Sequence, residues 1–287
     1  MGVRELGAGV VVISGASTGI GKSCAEYLAR MGFRVYAGVR READGEAVKE
    51  ASPERIVPLM LDVTDAGSIA AAAARVATEA PEGVAGLVNN AGIVVPGPLE
   101  LLPIDEIRRQ LEVNLLGTIA TTQAFLPQVR KATGRIVNMG SINGLLATPL
   151  GGPYCMSKFA LEAYSDVLRM ELKRWGIEVS LLEPGSIKTP IWEKSRAFGM
   201  GLYERLPEEG RAMYDPMVQG LRRTAEKVAG KGVPPERVAE VVAHALTAVR
   251  PRTRYRVGND SKMYRLLARW VPDRLRDRIV LKGMGMG

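Results

Sequence analysis

Histidine is almost missing from this sequence: His244 is the only one in 287 residues. A metal site built on several imidazoles is therefore excluded, and a Ser–His hydrolase would depend on that single residue. His244 lies in the apolar stretch Val241–Leu246, far from the other motifs, and is read as a packed structural histidine. Cysteine is equally scarce. Cys24 and Cys155 cannot form a disulfide framework, which points to the reducing cytoplasm, and a chain of this length needs neither cross-links nor metal to hold a core. Cys155 is read as a small buried filler. No run approaches the length of a membrane-spanning helix, and the short apolar run Val10–Ile13 lacks the cationic leader of a signal peptide. Apolar residues at 46% and charged residues at 24% are ordinary for a soluble globular protein and exclude disordered and fibrous classes.

What is present in excess is positive charge, with a formal net +8. The excess is local. Between Arg250 and Gly287 there are eleven cations and three anions, so this segment carries all of it, and residues 1–249 hold 28 charges of each sign. A basic protein ordinarily raises nucleic acid as a partner. Here the body is neutral, and no nucleic-acid partner is expected.

Short, continuous apolar runs alternate with helical periodicity along nearly the whole chain. The runs are Val10–Ser14, Arg34–Val39, Ile56–Leu61, Gly86–Asn89, Arg135–Met139, Glu178–Leu182 and Tyr255–Gly258. Strands apolar on both faces belong to a parallel sheet covered by helices. The pattern predicts an α/β, single-domain, doubly wound Rossmann fold with a seven-stranded parallel sheet across residues 1–287. Helices are expected over Gly19–Met31, Ala66–Glu79, Ile104–Arg130, Tyr154–Trp175 and Pro235–Val249. Two segments break the rhythm: 190–233, weakly periodic and placed where such folds carry lids, and the basic tail 259–287.

The first strand runs into Ser14-Gly15-Ala16-Ser17-Thr18-Gly19-Ile20-Gly21 and then a helix. A glycine-rich turn in that place suits a pyrophosphate: Gly15 turns the chain, Gly19 admits close approach, and Gly21 lets helix and strand pack. Ser17, Thr18 and Ile20 complete the candidate contacts. The spacing is GxxxGxG, distinct from the commoner GxGxxG. Arg40 and Arg41 follow the second strand, where an acidic residue would select NAD; a guanidinium there favours the 2′-phosphate of NADP, with NAD the alternative. Asp62 and Val63 close the third strand, and Asn89, Ala91 and Gly92 the fourth, as candidate contacts to the same nucleotide.

Tyr154 and Lys158 stand four residues apart on a predicted helix and so share a face. A phenol with an ordinary pKa near 10 is a poor acid or base at neutral pH, and a neighbouring ammonium is expected to lower it towards 7. Ser141, after the fifth strand, is placed to donate to a carbonyl oxygen. Asn114 is polar within an apolar helix. It is placed to hold a proton-relay water near Lys158.

With the glycine turn, Asn89-Asn90-Ala91-Gly92, Asn114, Ser141, Tyr154, Lys158 and Pro184-Gly185-Ser186-Ile187-Lys188-Thr189 in this order, the chain resembles the short-chain dehydrogenase/reductase family. The resemblance covers residues 8–190. It implies that Tyr154 is the general acid/base, Ser141 polarises the carbonyl, Lys158 lowers the tyrosine pKa and binds the nicotinamide ribose, and Asn114 supports the proton relay. It also implies that Pro184, Gly185, Ile187 and Thr189 border the nicotinamide, and that the chain forms a homodimer or homotetramer through its long helices. Val35-Tyr36-Ala37-Gly38 and Arg252-Thr253-Arg254-Tyr255 are similar to the branch of 17β-hydroxysteroid and retinol dehydrogenases.

The expected substrate is a small apolar alcohol or carbonyl, since Trp192, Phe198, Met200, Leu202, Tyr203, Leu206 and Met213 populate the suspected lid. Two rival readings are a dinucleotide-binding sensor without catalysis and a protein docking on membranes through its basic tail. In that tail Met263, Leu266, Leu267 and Trp270 recur at helical spacing among cations, and a second helix starts at Pro272. Packing of this stripe on its own domain or a partner subunit is the reading preferred from sequence.

Overall fold

The computed structural model describes residues 9–228 and 232–285. The first eight residues, positions 229–231 of the expected lid and the last two of the tail lie outside the described residues. The seven strands are β1 (Val10–Ile13), β2 (Arg34–Val39), β3 (Ile56–Met60), β4 (Gly86–Asn89), β5 (Arg135–Met139), β6 (Glu178–Pro184) and β7 (Arg254–Val257). They form one parallel sheet in the order β3-β2-β1-β4-β5-β6-β7. The order reverses between β1 and β4, and the crevice at the carboxyl ends of these strands is where such sheets bind ligands.

Successive side chains of a strand point to opposite faces, and β1 shows both faces buried. Val11 and Ile13 pack with Cys24 and Leu28 of α1 (Gly19–Arg30) and Val242 and Leu246 of α9 (Pro235–Thr247). Val10 and Val12 enter the opposite layer with Ile69 of α3 (Ala66–Glu79), Phe125 of α5 (Gly117–Lys131) and Leu168 of α6 (Gly152–Leu172). A Phe125→Ala change in such a layer costs about 3–5 kcal/mol. His244 of α9 meets the Tyr255 hydroxyl at 3.1 Å within this frame, its ring edge-on to the tyrosine.

Three elements depart from the expected pattern. A short helix α2 (Glu42–Lys49) follows β2, where a single glycine and several charges mask the periodicity. The helix expected over 104–130 is α4 (Ile104–Leu111) and α5 joined by a π-helical turn at Glu112–Leu116, with Asn114 at its centre. The segment expected as a weakly periodic lid is two helices, α7 (Ile191–Glu204) and α8 (Glu208–Val228).

The basic tail forms α10 (Asn259–Trp270) and α11 (Asp273–Gly283). Its start is part of the body. Ser261 is fully buried and donates to the Glu183 carbonyl at 2.7 Å, while Asp260 accepts from the Ser186 amide at 2.7 Å. Nor are all of its neighbouring cations free. Arg254 pairs with Glu162 at 2.9 Å, Asp166 at 2.7 Å and Glu183 at 3.4 Å, and Arg256 pairs with Glu183 at 2.9 Å.

Candidate active site

The glycine turn between β1 and α1 is shaped by backbone needs. Gly15 and Gly19 sit at φ +66° and +58°, in the left-handed region that glycine enters without strain. A Cβ on Gly21 would collide with the Gly15 carbonyl, so only hydrogen lets α1 lie this close to the turn. Thr18 caps α1 in an extended conformation without a side-chain hydrogen bond of its own. Ser17, Thr18, Gly19 and Ile20 are all at least partly open to solvent, and the helix amides behind them suit a pyrophosphate.

A clamp not expected from sequence holds this turn. Asn90 donates from Nδ2 to the carbonyls of Ser14 at 3.0 Å and Gly15 at 2.9 Å. The Ser14 hydroxyl accepts from the amides of Asn90 and Ala91 at 3.0 and 3.1 Å. The Asn89 side chain is not the part available to a nucleotide, which leaves its backbone. It turns inward, donating to Thr122 at 2.8 Å and Asn138 at 2.9 Å, because its alternation along β4 points it to the buried face. Asn138 continues the chain of polar contacts to Ser165 at 2.9 Å.

At the end of β2, Arg40 is exposed and makes no ion pair among the described residues, whereas Arg41 forms a two-pronged pair with Asp44 at 2.8 and 2.7 Å. Of the two guanidiniums read from sequence, Arg40 is therefore the free one. Asp62 accepts from the Thr64 amide and hydroxyl at 2.9 and 2.7 Å. Burial works to raise its pKa, but these bonds and nearby Arg40 outweigh it and hold the carboxyl below its ordinary range. Val63 is buried against Gly117, leaving its backbone as the available part.

The opposite lip is the segment after β6. Thr189 lies against Gly19, 3.1 Å from where a Cβ would stand, so the glycine turn and this segment meet. The Gly185 amide bonds to the Val257 carbonyl at 2.9 Å, and Gly185 is packed so tightly on Asp260 that a side chain there would strike the carboxylate. Pro184 and Ile187 are buried, and the Ile187 carbonyl accepts from Trp192 at 3.0 Å.

Ser141, Tyr154 and Lys158 converge at the carboxyl ends of β4 and β5. Ser141 accepts from the Asn143 amide at 3.2 Å and its hydroxyl reaches the Tyr154 phenol. Ahead of α6, Leu150 adopts φ +61°, a left-handed conformation unusual for leucine, and its carbonyl accepts from Gly97 at 2.8 Å. Such strain is of order 1–3 kcal/mol and persists where the surroundings fix the chain.

The electrostatics differ from the expected lowering of the phenol. Although Tyr154 keeps part of its surface open, burial pushes its pKa up to about 12, with the Ser141 hydrogen bond working the other way. Lys158 lies 5.6 Å from the tyrosine ring centroid and donates to the Met139 carbonyl at 2.7 Å. Burial pushes its own pKa down to about 8. Asn114 is committed to a neighbouring segment: it accepts from the Ile93 amide at 2.8 Å and donates to the Ile93 carbonyl at 3.0 Å and to Ser157 at 3.3 Å. Gln110, one turn earlier, grips the same stretch through the Ile93 carbonyl and the Val95 amide at 2.9 and 2.7 Å. Sequence spacing alone did not single out Gln110.

Among the described residues, no cluster of histidine, cysteine or carboxylate is placed to hold a metal, and no helix is long and apolar enough to cross a membrane. The short chain dehydrogenase family pattern matches residues 9–198. Human retinol dehydrogenase 16 is 39% identical over 276 residues, covering 94% of this chain and 87% of that protein. An NADPH-dependent 3-dehydrocapnine reductase from Ornithobacterium rhinotracheale is 33% identical over 279 residues, covering 95% and 96%. The solved structure of a short chain dehydrogenase from Burkholderia cenocepacia in complex with NADP superposes with a TM-score of 0.73 at 26% identity, covering 96% and 98%.

Proposed function

Since the chain belongs to the short chain dehydrogenase family and is an oxidoreductase of alcohol and carbonyl groups, we propose that it is an NADP(H)-dependent enzyme acting on an apolar alcohol or its ketone or aldehyde. The observation that carries this reading is the meeting of Ser141, Tyr154 and Lys158 beside a glycine turn whose φ angles and close packing leave room only for backbone. That cradle fits a dinucleotide pyrophosphate, with Gly15, Ser17, Thr18, Gly19, Ile20 and Gly21 on one side and Thr189 on the other. Free Arg40 supports NADP over NAD, as does the cofactor named for two of the similar proteins.

The dinucleotide, when bound, supplies or accepts the hydride. In this chain, Ser141 donates a hydrogen bond to the substrate oxygen, its own oxygen already held by the Asn143 amide. Tyr154, with a pKa near 12, is fully protonated at neutral pH and stands as the acid that delivers a proton to the developing alkoxide. Lys158 stabilises the phenolate left behind by charge, and its desolvated setting strengthens that effect. Asn114 holds the Ile93 segment that walls the site and supports return of the proton.

The helices α7 and α8 act as the substrate lid. Tyr214 of α8 donates to Glu100, and Arg109 of α4 stacks on the Phe198 ring of α7 at 5.0 Å, so both lid helices rest on the segment leading into α4. Exposed Leu116, Met156, Phe159, Val167 and Met170 on or beside α5 and α6 support a homodimer or tetramer through these helices, and two buried, free cysteines support a cytoplasmic setting. The test is nicotinamide absorbance with a panel of retinoids, steroids and aliphatic carbonyls, with Tyr154→Phe beside wild type. Turnover on one class that falls by orders of magnitude in the variant is expected; equal turnover refutes the assigned acid. Binding of nucleotide without turnover across the panel would favour a sensor, a role that has no need of the Ser141–Tyr154–Lys158 set.

A further inference from the structure

Of the stripe expected to pack on its own domain or on a partner subunit, only Leu267 is half-buried, and the rest does not pack on its own domain. Met263, Leu266 and Trp270 of α10 are 53%, 60% and 71% exposed, and Leu275 and Ile279 of α11 are also exposed. Around them Lys262, Arg265, Arg269, Arg274, Arg278 and Lys282 make no ion pair among the described residues. Of the three anions of the tail, Asp260 is turned inward to Ser186 and Asp273 pairs with Arg276 at 2.7 Å, which leaves Asp277 alone against these six cations. Arg256, Lys262, Arg265, Leu266, Arg269 and Trp270 line an open groove of about 410 Å³.

We propose that the α10–α11 pair is a docking surface for anionic membranes, with Trp270, Leu266 and Met263 entering the interface and the surrounding cations meeting lipid phosphates. Charge complementarity and the apolar stripe together select this partner. A helix with one charged and one apolar face lies in the plane of a bilayer, with tryptophan favoured at the headgroup level. A nucleic acid would use the cations and leave the exposed leucine, methionine and tryptophan in water. Unlike an adventitious tail, α10 is anchored at its start, since Asp260 and Ser261 fix its first turn to the strand end that precedes the Gly185 segment. In a parallel sheet the carboxyl ends of all strands share one edge, so α10 begins on the same edge as Ser141 and Gly185. This proposal stands apart from the catalytic reading and fails or holds without it.

The experiment uses the full chain and co-sedimentation with vesicles of phosphatidylcholine alone and of phosphatidylcholine with phosphatidylserine. Wild type is expected to bind the anionic vesicles, to bind the neutral ones far less, and to be released by salt. Both the Leu266→Glu/Trp270→Glu and the Arg265→Glu/Arg269→Glu variants are expected to lose about tenfold or more in vesicle affinity, with far-UV circular dichroism unchanged. Trp270→Ser alone keeps the test decisive should a double variant fold poorly, and a blue shift of tryptophan emission on vesicles is expected to disappear in it. No binding, or equal binding to both vesicle types, overturns the proposal. So does retention of binding in Leu266→Glu/Trp270→Glu together with capture of a homopolymeric RNA lost only in Arg265→Glu/Arg269→Glu, which would mark a polyanion site. An oligomer that dissociates in Trp270→Ser, without vesicle binding by wild type, would assign the face to a second copy.

Discussion

Replacing Arg254 with methionine removes the one cation that touches Glu162, Asp166 and Glu183 at once. Arg256 remains on Glu183, but Glu162 loses its ion-pair partner. Burial, helped by the Glu183 charge, already pushes Glu162 up to about 7 from an ordinary 4.5, against the pull of Arg254. Those 2.5 pH units correspond to roughly 3 kcal/mol at about 1.4 kcal/mol per unit. Because the folded pKa is the higher one, the folded state binds more protons than the unfolded chain between pH 4.5 and 7, and stability falls as pH rises through that window. Without Arg254 the Glu162 pKa moves higher and the window extends upward. At about pH 8 the variant loses some 3–5 kcal/mol, the usual cost of leaving a buried charge without its partner. That corresponds to a fall in Tm on the order of 10 °C for a domain of this size. Near pH 5.5 Glu162 is already largely neutral in both proteins, so the loss shrinks to below about 2 kcal/mol. Thermal unfolding by circular dichroism at both pH values checks this, with Arg254→Met/Glu162→Gln recovering part of the loss at the higher pH. A Tm drop that is the same at both pH values, or no drop at all, refutes the reasoning.

Three further outcomes are expected. Arg40→Asp should weaken NADP binding relative to NAD by roughly tenfold to a hundredfold, the worth of one charged hydrogen bond, in a fluorescence titration; an unchanged preference removes Arg40 from the phosphate. Gly21→Ala should destabilise the fold by about 1–3 kcal/mol through the collision with Gly15, and should also weaken nucleotide binding; a Tm and Kd like those of wild type would show that the turn relaxes freely. Asp260→Ala should raise the nucleotide Kd by roughly tenfold by freeing the Ser186 amide, at a net loss of about 1–3 kcal/mol; an unchanged Kd would mean that the Gly185 segment is held by its other contacts.

The sheet was legible because burial on both faces leaves most of its strands as largely apolar runs, although β7 alternates arginine with apolar residues, and each of the seven was located within two residues. The helices were less so where polar or flexible residues interrupt the stripe. Gly45 and four charges hide α2, and Gly199, Gly201, Pro216 and many charges hide the helical character of the lid. Nor does spacing reveal a π-helical turn, because Asn114 and Gln110 reach Ile93 and Val95 only after the chain has folded back. At the site, residue type named Ser141, Tyr154 and Lys158, but not where their protons sit. The Tyr154 pKa depends on burial by the surrounding chain and on the Ser141 hydrogen bond, both set by tertiary packing. Charge counting likewise located the +8 without showing that Arg254 and Arg256 are held by buried acids while six of the seven cations of α10 and α11 make no ion pair among the described residues.

The contact of Asp260 with Gly185 and Ser186 also bears on how the molecule is made. The glycine turn is synthesised well before the opposite lip, and the sheet then grows outward from β1 in an order that lets the nucleotide half assemble early. The residue that fixes the opposite lip follows Gly15 by 245 positions, or roughly 12 to 50 s of synthesis at about 5–20 residues per second. During that interval a nascent chain carries one wall of its cleft without the anchor of the other, and the cleft takes its final shape only when the start of α10 docks. Synthesis of Asp260 and Ser261 is thus the step after which both walls of the cleft can be held.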